Sequence, residues 1–144
     1  MRSARFPACL VLVLLAVSVS CTEPTSKDTT PTSSASPQLE TPTGGFLYTA
    51  PGLEATLELT GEHGTLVVLN RTGVSVGAPR VYLLDAVDGR RFDGQTEDRA
   101  PIPDGETRTF EVSVPGAPAH DDIGLVVLLL GGKNFGAFVP AELA

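Results

Sequence analysis

Residues 22–45 limit what this chain can fold into, because they are dominated by Thr, Ser and Pro and offer almost no apolar side chains to bury. Such a segment cannot offset the entropy cost of ordering, so we predict a disordered linker. Treated as a flexible coil, the linker reaches about 25 Å. A hydrophobic core must therefore come from residues 46–144, a length near the modal size of a single domain.

The segment before the linker has the order of an export signal. It begins with Arg2 and Arg5, continues as an apolar stretch from Ala8 through Val19, and then turns abruptly polar. The apolar stretch is shorter than the about 20 residues that a membrane-spanning helix needs. We therefore predict that residues 1–20 form a signal peptide that is removed after export.

The end of this leader, Ser18-Val19-Ser20-Cys21, resembles the lipobox of bacterial lipoprotein precursors. The resemblance implies that a diacylglyceryl group is attached to Cys21, with palmitate among the acyl chains, and that cleavage follows immediately before it. Ser18 departs from the aliphatic residue usual in the lipobox, so an ordinary secretory cleavage nearby remains the alternative. Cys9 lies in the leader, which leaves Cys21 as the single cysteine of the mature chain and excludes an internal disulfide.

These features predict three regions: a lipoprotein signal peptide at 1–20, the lipidated Cys21 with its linker at 21–45, and a folded domain at 46–144. Two or three acyl chains on one cysteine make membrane attachment effectively stable. We expect the protein on the extracytoplasmic side of the cell membrane, or at the outer membrane in a host that has two membranes.

The sequence of the folded region predicts a succession of short strands separated by turns. In Leu53–Thr60 every odd position is apolar and every even one polar, the pattern of a half-buried strand. The run Ile123–Leu130 is the most apolar of the mature chain and predicts a central strand. Together the pattern predicts an all-β fold, a single antiparallel sandwich of about seven strands, with a small barrel as the alternative. The other predicted strands are 65–69, 80–86, 90–93, 110–114 and 135–139, the last stopped at a sheet edge by Pro140.

Two turn motifs add a family resemblance. Asn70-Arg71-Thr72-Gly73 follows an apolar strand, and Ile102-Pro103-Asp104-Gly105-Glu106-Thr107 precedes Phe110-Glu111-Val112. In this order the chain resembles immunoglobulin-like domains of bacterial envelope lipoproteins, from about Leu53 to Val139. The resemblance implies an immunoglobulin-like β-sandwich and carries no functional residues across.

Catalytic motifs are not evident in the sequence. Gly131-Gly132-Lys133-Asn134 lacks the spacing and the Ser or Thr of a phosphate loop. No Gly-x-Ser-x-Gly elbow occurs, and His63 and His120 stand in separate polar segments, where a surface histidine is the ordinary interpretation. We therefore predict that the protein is not an enzyme and needs no cofactor.

Metal binding is an alternative function, because acidic residues form two groups along the chain. His120-Asp121-Asp122 groups three potential ligands, and carboxylates in loops can cage calcium. The spacing of an EF-hand is missing, and acidic loops on exported domains are usually solvated, so we predict no metal site and keep these three residues as candidates. The dipeptide Asp88-Gly89 predicts a tight turn, and therefore a hairpin, between the strands 80–86 and 90–93. A second acidic group surrounds this predicted hairpin and comprises Asp85, Asp88, Asp93, Glu97 and Asp98.

The net charge of the chain limits the kinds of molecule that it can bind. The chain carries a net charge of −7, and removal of Arg2 and Arg5 with the leader would make it −9. An acidic protein lacks the basic footprint that nucleic acid requires, so we expect no nucleic-acid partner. The sequence favours a non-enzymatic interaction or accessory module at the bacterial cell envelope, anchored to the membrane through Cys21 and contacting an envelope protein. The alternative is a solute- or metal-binding lipoprotein that uses its acidic loops.

Overall fold

The computed structural model describes residues 39–40 and 44–143. The predicted signal peptide, Cys21 and nearly all of the predicted linker lie outside these residues and stay predictions. In the described part of the chain, no helix has both the length and the apolar character needed to cross a membrane.

The described residues form an all-β structure, as the sequence predicts. Ten strands are present, and the helical segments are two single 3-10 turns at His120–Asp122 and Ala141–Leu143. In chain order the strands are β1 (Phe46–Ala50), β2 (Leu53–Thr60), β3 (His63–Asn70), β4 (Pro79–Asp85), β5 (Arg91–Asp93), β6 (Gln95–Thr96), β7 (Thr107–Ser113), β8 (Ile123–Leu130), β9 (Lys133–Ala137) and β10 (Val139–Pro140).

The strands pair into two antiparallel sheets. One has six strands in the order β10-β1-β2-β3-β7-β6, and the other has four in the order β5-β4-β8-β9. The chain changes sheet after β3, returns between β5 and β6, crosses again after β7, and returns after β9. At each of these four crossings, two strands that follow one another in sequence lie on opposite layers of a β-sandwich.

The inner faces of the sheets enclose one hydrophobic core. Leu53, Ala55 and Leu57 of β2 are at most 1% exposed, which confirms the inward face that the alternating pattern predicts. The facing layers complete this core with side chains of β3, β4, β7 and β8, namely Leu66, Val68, Val81, Leu83, Phe110, Val112, Val126 and Leu128.

Three strands were not predicted from the sequence: β1, β6 and β10. Strand β1 buries Phe46 and Tyr48, but it directly follows the linker with few turn signals to mark it. Strands β6 and β10 have two residues each, which is too short for a hydrophobic period to be recognised. Tertiary pairing, rather than local pattern, defines these two strands.

The last predicted strand, 135–139, is wrong in its bounds. Lys133–Ala137 pairs with β8 in the four-stranded sheet, whereas Val139–Pro140 pairs with β1 in the other sheet. Phe138 lies between them, 5% exposed, and its amide donates to the Val126 carbonyl at 2.8 Å. Burial of this one aromatic ring turns the chain from one layer to the other, and Pro140 is tolerated because β10 is an edge strand.

Candidate functional site

A groove of about 600 Å³ opens on the outer side of the four-stranded sheet. It lies between β4 and the segment 93–99, which leads from β5 into the other sheet, and it reaches the turn between β8 and β9. The lining residues are Arg80, Val81, Arg91, Asp93, Gly94, Gln95, Thr96, Arg99, Leu129 and Gly132.

Strand alternation supplies the floor of the groove. Val81 and Leu83 face the core, so Arg80 and Tyr82 lie on the opposite, outer face of β4. Arg80 is paired in register with Leu129 of β8, which is half-buried and also lines the groove. The floor therefore combines an exposed guanidinium with an aliphatic side chain.

The wall formed by residues 93–99 is held in place by the backbone of β4. The Gly94 amide donates to the Val81 carbonyl at 2.8 Å, and the Thr96 hydroxyl donates to the Pro79 carbonyl at 3.0 Å. A Cβ at Gly94 would lie 2.6 Å from Val81 Cγ2 and 3.0 Å from the Val81 carbonyl oxygen. Only glycine fits this approach, so Gly94 fixes the point where the chain leaves one sheet for the other.

One arginine of the groove is already engaged. Arg91 Nε donates to Asp93 Oδ1 at 2.8 Å, and the guanidinium lies 4.1 Å from the centroid of the Tyr82 ring. A cation–π contact and a paired carboxylate restrict the orientation of this side chain. Arg91 and Asp93 thus form a neutral, oriented pair on one wall.

The other two arginines differ. In the described residues, neither Arg80 nor Arg99 has a carboxylate oxygen within 4.0 Å. Asp98, the neighbour of Arg99 in sequence, pairs instead with Arg108 at 3.3 Å. The groove therefore presents two exposed guanidinium groups that pair with no carboxylate of the described residues, on a chain whose net charge is −7.

A second, smaller hollow of about 360 Å³ adjoins the first and shares Arg80, Thr96, Arg99 and Gly132 with it. Gly131 belongs to this hollow as well. The segment Gly131-Gly132, which superficially suggested a phosphate loop, is the tight turn between β8 and β9, and both glycines have positive φ. The two hollows thus form one continuous depression, and Arg80 and Arg99, which pair with no carboxylate of the described residues, line both parts of it.

The predicted metal candidates are not assembled into a ligand set. His120, Asp121 and Asp122 form a 3-10 turn with no buried residue, and the His120 ring packs against Phe46 with centroids 5.2 Å apart. Across residues 39–40 and 44–143, no group of three or more His, Cys, Asp or Glu side chains could hold a metal ion. His63 also differs from its predicted place in a polar turn, since it begins β3.

The second acidic group stabilises its own hairpin. The predicted turn at Asp88-Gly89 is confirmed: β4 and β5 pair on either side of it, and Gly89 has φ +70. Asp85 Oδ1 accepts from the Val87 amide at 2.6 Å, and Asp88 Oδ1 accepts from the Arg90 amide at 2.8 Å. These carboxylates satisfy turn amides and have a structural explanation.

The sequence did not reveal the groove. Arg80, Arg91 and Arg99 come from β4, from β5 and from the segment after β6, and no motif links them along the chain. The one available signal was the concentration of arginine between residues 80 and 99, in an acidic chain. Only the crossing between sheets brings these side chains to one depression.

The comparisons with known proteins place no family on this geometry. No protein-family model matches the chain, and neither the curated proteins nor the solved structures gave a match.

Proposed function

We propose that the protein is a non-enzymatic interaction module of the bacterial cell envelope, held at the membrane by lipid on Cys21 and contacting an envelope protein through its β-domain. The observation that carries this proposal is the arginine-lined groove. Exposed, unpaired guanidinium groups beside an aliphatic floor suit recognition of another molecule.

The groups in the groove favour binding over catalysis. The Asp93 carboxylate is paired with Arg91, and the Thr96 hydroxyl already donates to the Pro79 carbonyl. A nucleophile needs a base within hydrogen-bond reach, and a general base needs a free acceptor. The groove thus combines guanidinium donors with an engaged hydroxyl and a carboxylate that is paired through Oδ1, a set of groups that suits a recognition surface.

We also propose that the sandwich is immunoglobulin-like. The strand order supports this: β2-β3-β7-β6 follows the order A-B-E-D, and β5-β4-β8-β9 follows C′-C-F-G. Strands β1 and β10 extend the first sheet beyond this arrangement. The groove lies on the sheet that corresponds to C′-C-F-G.

The anchoring half of the proposal is tested by metabolic labelling with a fatty acid analogue. We expect the label on the native chain and its loss in Cys21→Ala. A matched control is Cys9→Ala, whose cysteine lies in the predicted leader and whose change should leave labelling intact. Equal labelling of the native and Cys21→Ala chains would contradict lipidation at Cys21.

The interaction half is tested by in-cell cross-linking with affinity recovery of the full chain. We expect the native chain to recover a reproducible envelope protein, and Cys21→Ala to recover much less of it because the domain is no longer concentrated at the membrane. Recovery of no specific protein by the labelled, anchored chain would contradict an interaction role.

A further inference from the structure

The groove has a local charge opposite to that of the molecule. Arg80 and Arg99 are exposed and have no carboxylate within 4.0 Å in the described residues, while the chain as a whole carries −7. Two exposed, unpaired guanidinium groups that meet at one depression repel each other and gain from a shared counter-charge. The groove is therefore complementary to an anionic group of a ligand.

We propose that this groove docks an extended acidic segment of a partner polypeptide, which presents carboxylates and apolar side chains on one face, at every second position of the segment. The inference rests on the proposed interaction function and names the surface and the chemistry of the partner. Carboxylates of the segment pair with Arg80 and Arg99, and an apolar side chain covers the half-buried Leu129 on the floor.

The molecule itself shows that these arginines suit carboxylates. On the same wall, Arg91 engages Asp93 through both Nε and Nη2, and beyond it Arg108 pairs with Asp98. The planar guanidinium offers several donors in a fixed fork, which matches a carboxylate in one plane. Arg91 is already satisfied, so Arg80 and Arg99 are the ones left for a partner.

The net charge favours a sparsely charged peptide over a phosphate polymer. A polymer with a phosphate on every unit binds through a broad basic footprint and long-range attraction, and an acidic domain repels it. A peptide with a few carboxylates needs only local pairing, and its apolar side chains gain from the aliphatic floor. Two adjoining hollows, of about 600 and 360 Å³, give room for several residues in extended form.

Fluorescence anisotropy with a defined probe tests the ligand chemistry. The probe is a fluorescein-labelled peptide of Glu-Ser-Leu-Ser repeats, which places Glu and Leu on one face of an extended chain. It is compared with a peptide of Gln-Ser-Leu-Ser repeats, against the full chain purified in detergent from a bacterial host. We expect binding of the Glu peptide that weakens as NaCl is raised. Arg80→Gln and Arg99→Gln should each weaken binding about three- to fivefold, the upper end of what an exposed ion pair contributes.

Matched control variants distinguish an effect of the groove arginines from an effect of the net charge of the protein. Arg90→Gln removes the same charge from an exposed arginine outside the groove and should leave peptide affinity within about twofold. Arg80→Lys keeps the charge without the fork and should fall between native and Arg80→Gln. Thermal unfolding of each variant establishes that it is folded. Equal affinity for the two peptides, or equal losses in Arg80→Gln and Arg90→Gln, would overturn the proposal, as would stronger binding of inorganic polyphosphate than of the Glu peptide.

Photo-cross-linking in cells connects the groove to the partner. p-Benzoylphenylalanine is placed at Gln95, which lines the groove, and separately at Glu111, an exposed position on β7 of the other sheet. We expect cross-links to one acidic envelope protein from position 95 that disappear in the Arg80→Gln, Arg99→Gln chain. Cross-links from position 111 alone would overturn the proposal that the groove is the docking surface, but would leave the proposed interaction function standing. If the anchored chain gave no cross-link from either position, the interaction function itself would be overturned.

Discussion

Replacement of Asn70 by alanine tests how the fold closes the end of β3. The Asn70 side chain is fully buried, and its Nδ2 donates to the Val74 carbonyl at 2.7 Å and to the Ile102 carbonyl at 2.9 Å. Its Oδ1 accepts from the Thr72 amide at 3.0 Å and from the Thr72 hydroxyl at 2.8 Å. This one amide thus ties the turn after β3 to the loop before β7.

The free energy of unfolding that Asn70→Ala loses depends on which hydrogen-bond partners of Asn70 retain another partner. The Ile102 carbonyl keeps the Val76 amide at 3.0 Å. The single proton of the Thr72 hydroxyl, released from Asn70 Oδ1, can be donated to the Val74 carbonyl at 3.1 Å. Of the four partner groups, the Thr72 amide alone loses its described partner. Four hydrogen bonds at the low end of about 0.5–1.5 kcal/mol each contribute about 2 kcal/mol. The small void adds about 1 kcal/mol, so Asn70→Ala should lower the free energy of unfolding by about 3 kcal/mol.

Asn70→Asp tests the same network in a different way, because Asp keeps the size of the side chain and both hydrogen bonds that Oδ1 accepts from Thr72. The former Nδ2 becomes a carboxylate oxygen facing two carbonyl oxygens in a buried site, and an uncompensated buried charge costs about 3–5 kcal/mol. We therefore expect Asp to be worse than Ala at neutral pH. Thr72→Val is the control near the surface and should cost about 1 kcal/mol or less.

Urea unfolding followed by far-ultraviolet circular dichroism measures these differences, since the chain has no Trp and two Tyr. The slope of the free energy against urea should be the same for all variants, so that the midpoint alone reports stability. A loss below about 1 kcal/mol for Asn70→Ala, or an Asp variant as stable as native, would refute the assigned hydrogen-bond network.

Three further predictions concern tight packing and one titrating group. Gly136→Ala should cost about 1–3 kcal/mol in urea unfolding, because its Cβ would lie 2.5 Å from the Tyr48 ring, and the cost should shrink in a Tyr48→Leu background. Gly94→Ala should cost about 2–3 kcal/mol and weaken peptide binding in the groove, since Val81 blocks its Cβ; unchanged stability would contradict this placement. Desolvation raises the pKa of Tyr48 above its ordinary value of 10.0, so the folded state holds this proton more tightly than the unfolded chain. This contribution to the free energy of unfolding is fully present below the pKa of Tyr48 in the unfolded chain and is lost as the pH rises through its pKa in the folded state. The loss of stability at alkaline pH should therefore be smaller in Tyr48→Phe than in native protein. Urea midpoints measured at alkaline pH check this.

The parts of the fold that could be predicted are those in which local pattern and tertiary burial agree. The alternation in Leu53–Thr60 gave the inward face of β2, and Asp88-Gly89 gave the β4–β5 turn. The turn chemistry at Asn70 predicted the end of β3, where the side chain accepts from the Thr72 amide. These features depend on neighbours in sequence, so single-residue preferences are enough to reveal them.

The groove could not be predicted because it depends on pairings between distant segments. The sequence predicts no strand between 93 and 110, yet Gln95 and Thr96 pair with Ser113 and Val112 of β7. That pairing carries the chain across to the other sheet and draws Arg99 toward Arg80. A two-residue strand has no hydrophobic period, so the sequence offers no local sign of the crossing.

The predicted central strand β8 is covered unevenly on its outer face. It is apolar on both faces, the pattern of a strand covered on both sides, and it lies between β4 and β9 as a central strand should. Its inner side chains Val126 and Leu128 are buried, and so is Val127 on the outer face, whereas Leu129 on that face stays half-buried at the floor of the groove. Within the described residues, the cover that the sequence pattern predicts is therefore complete at Val127 and partial at Leu129. The proposed peptide would complete the cover at Leu129, because the same segment that pairs with Arg80 would lie over this side chain.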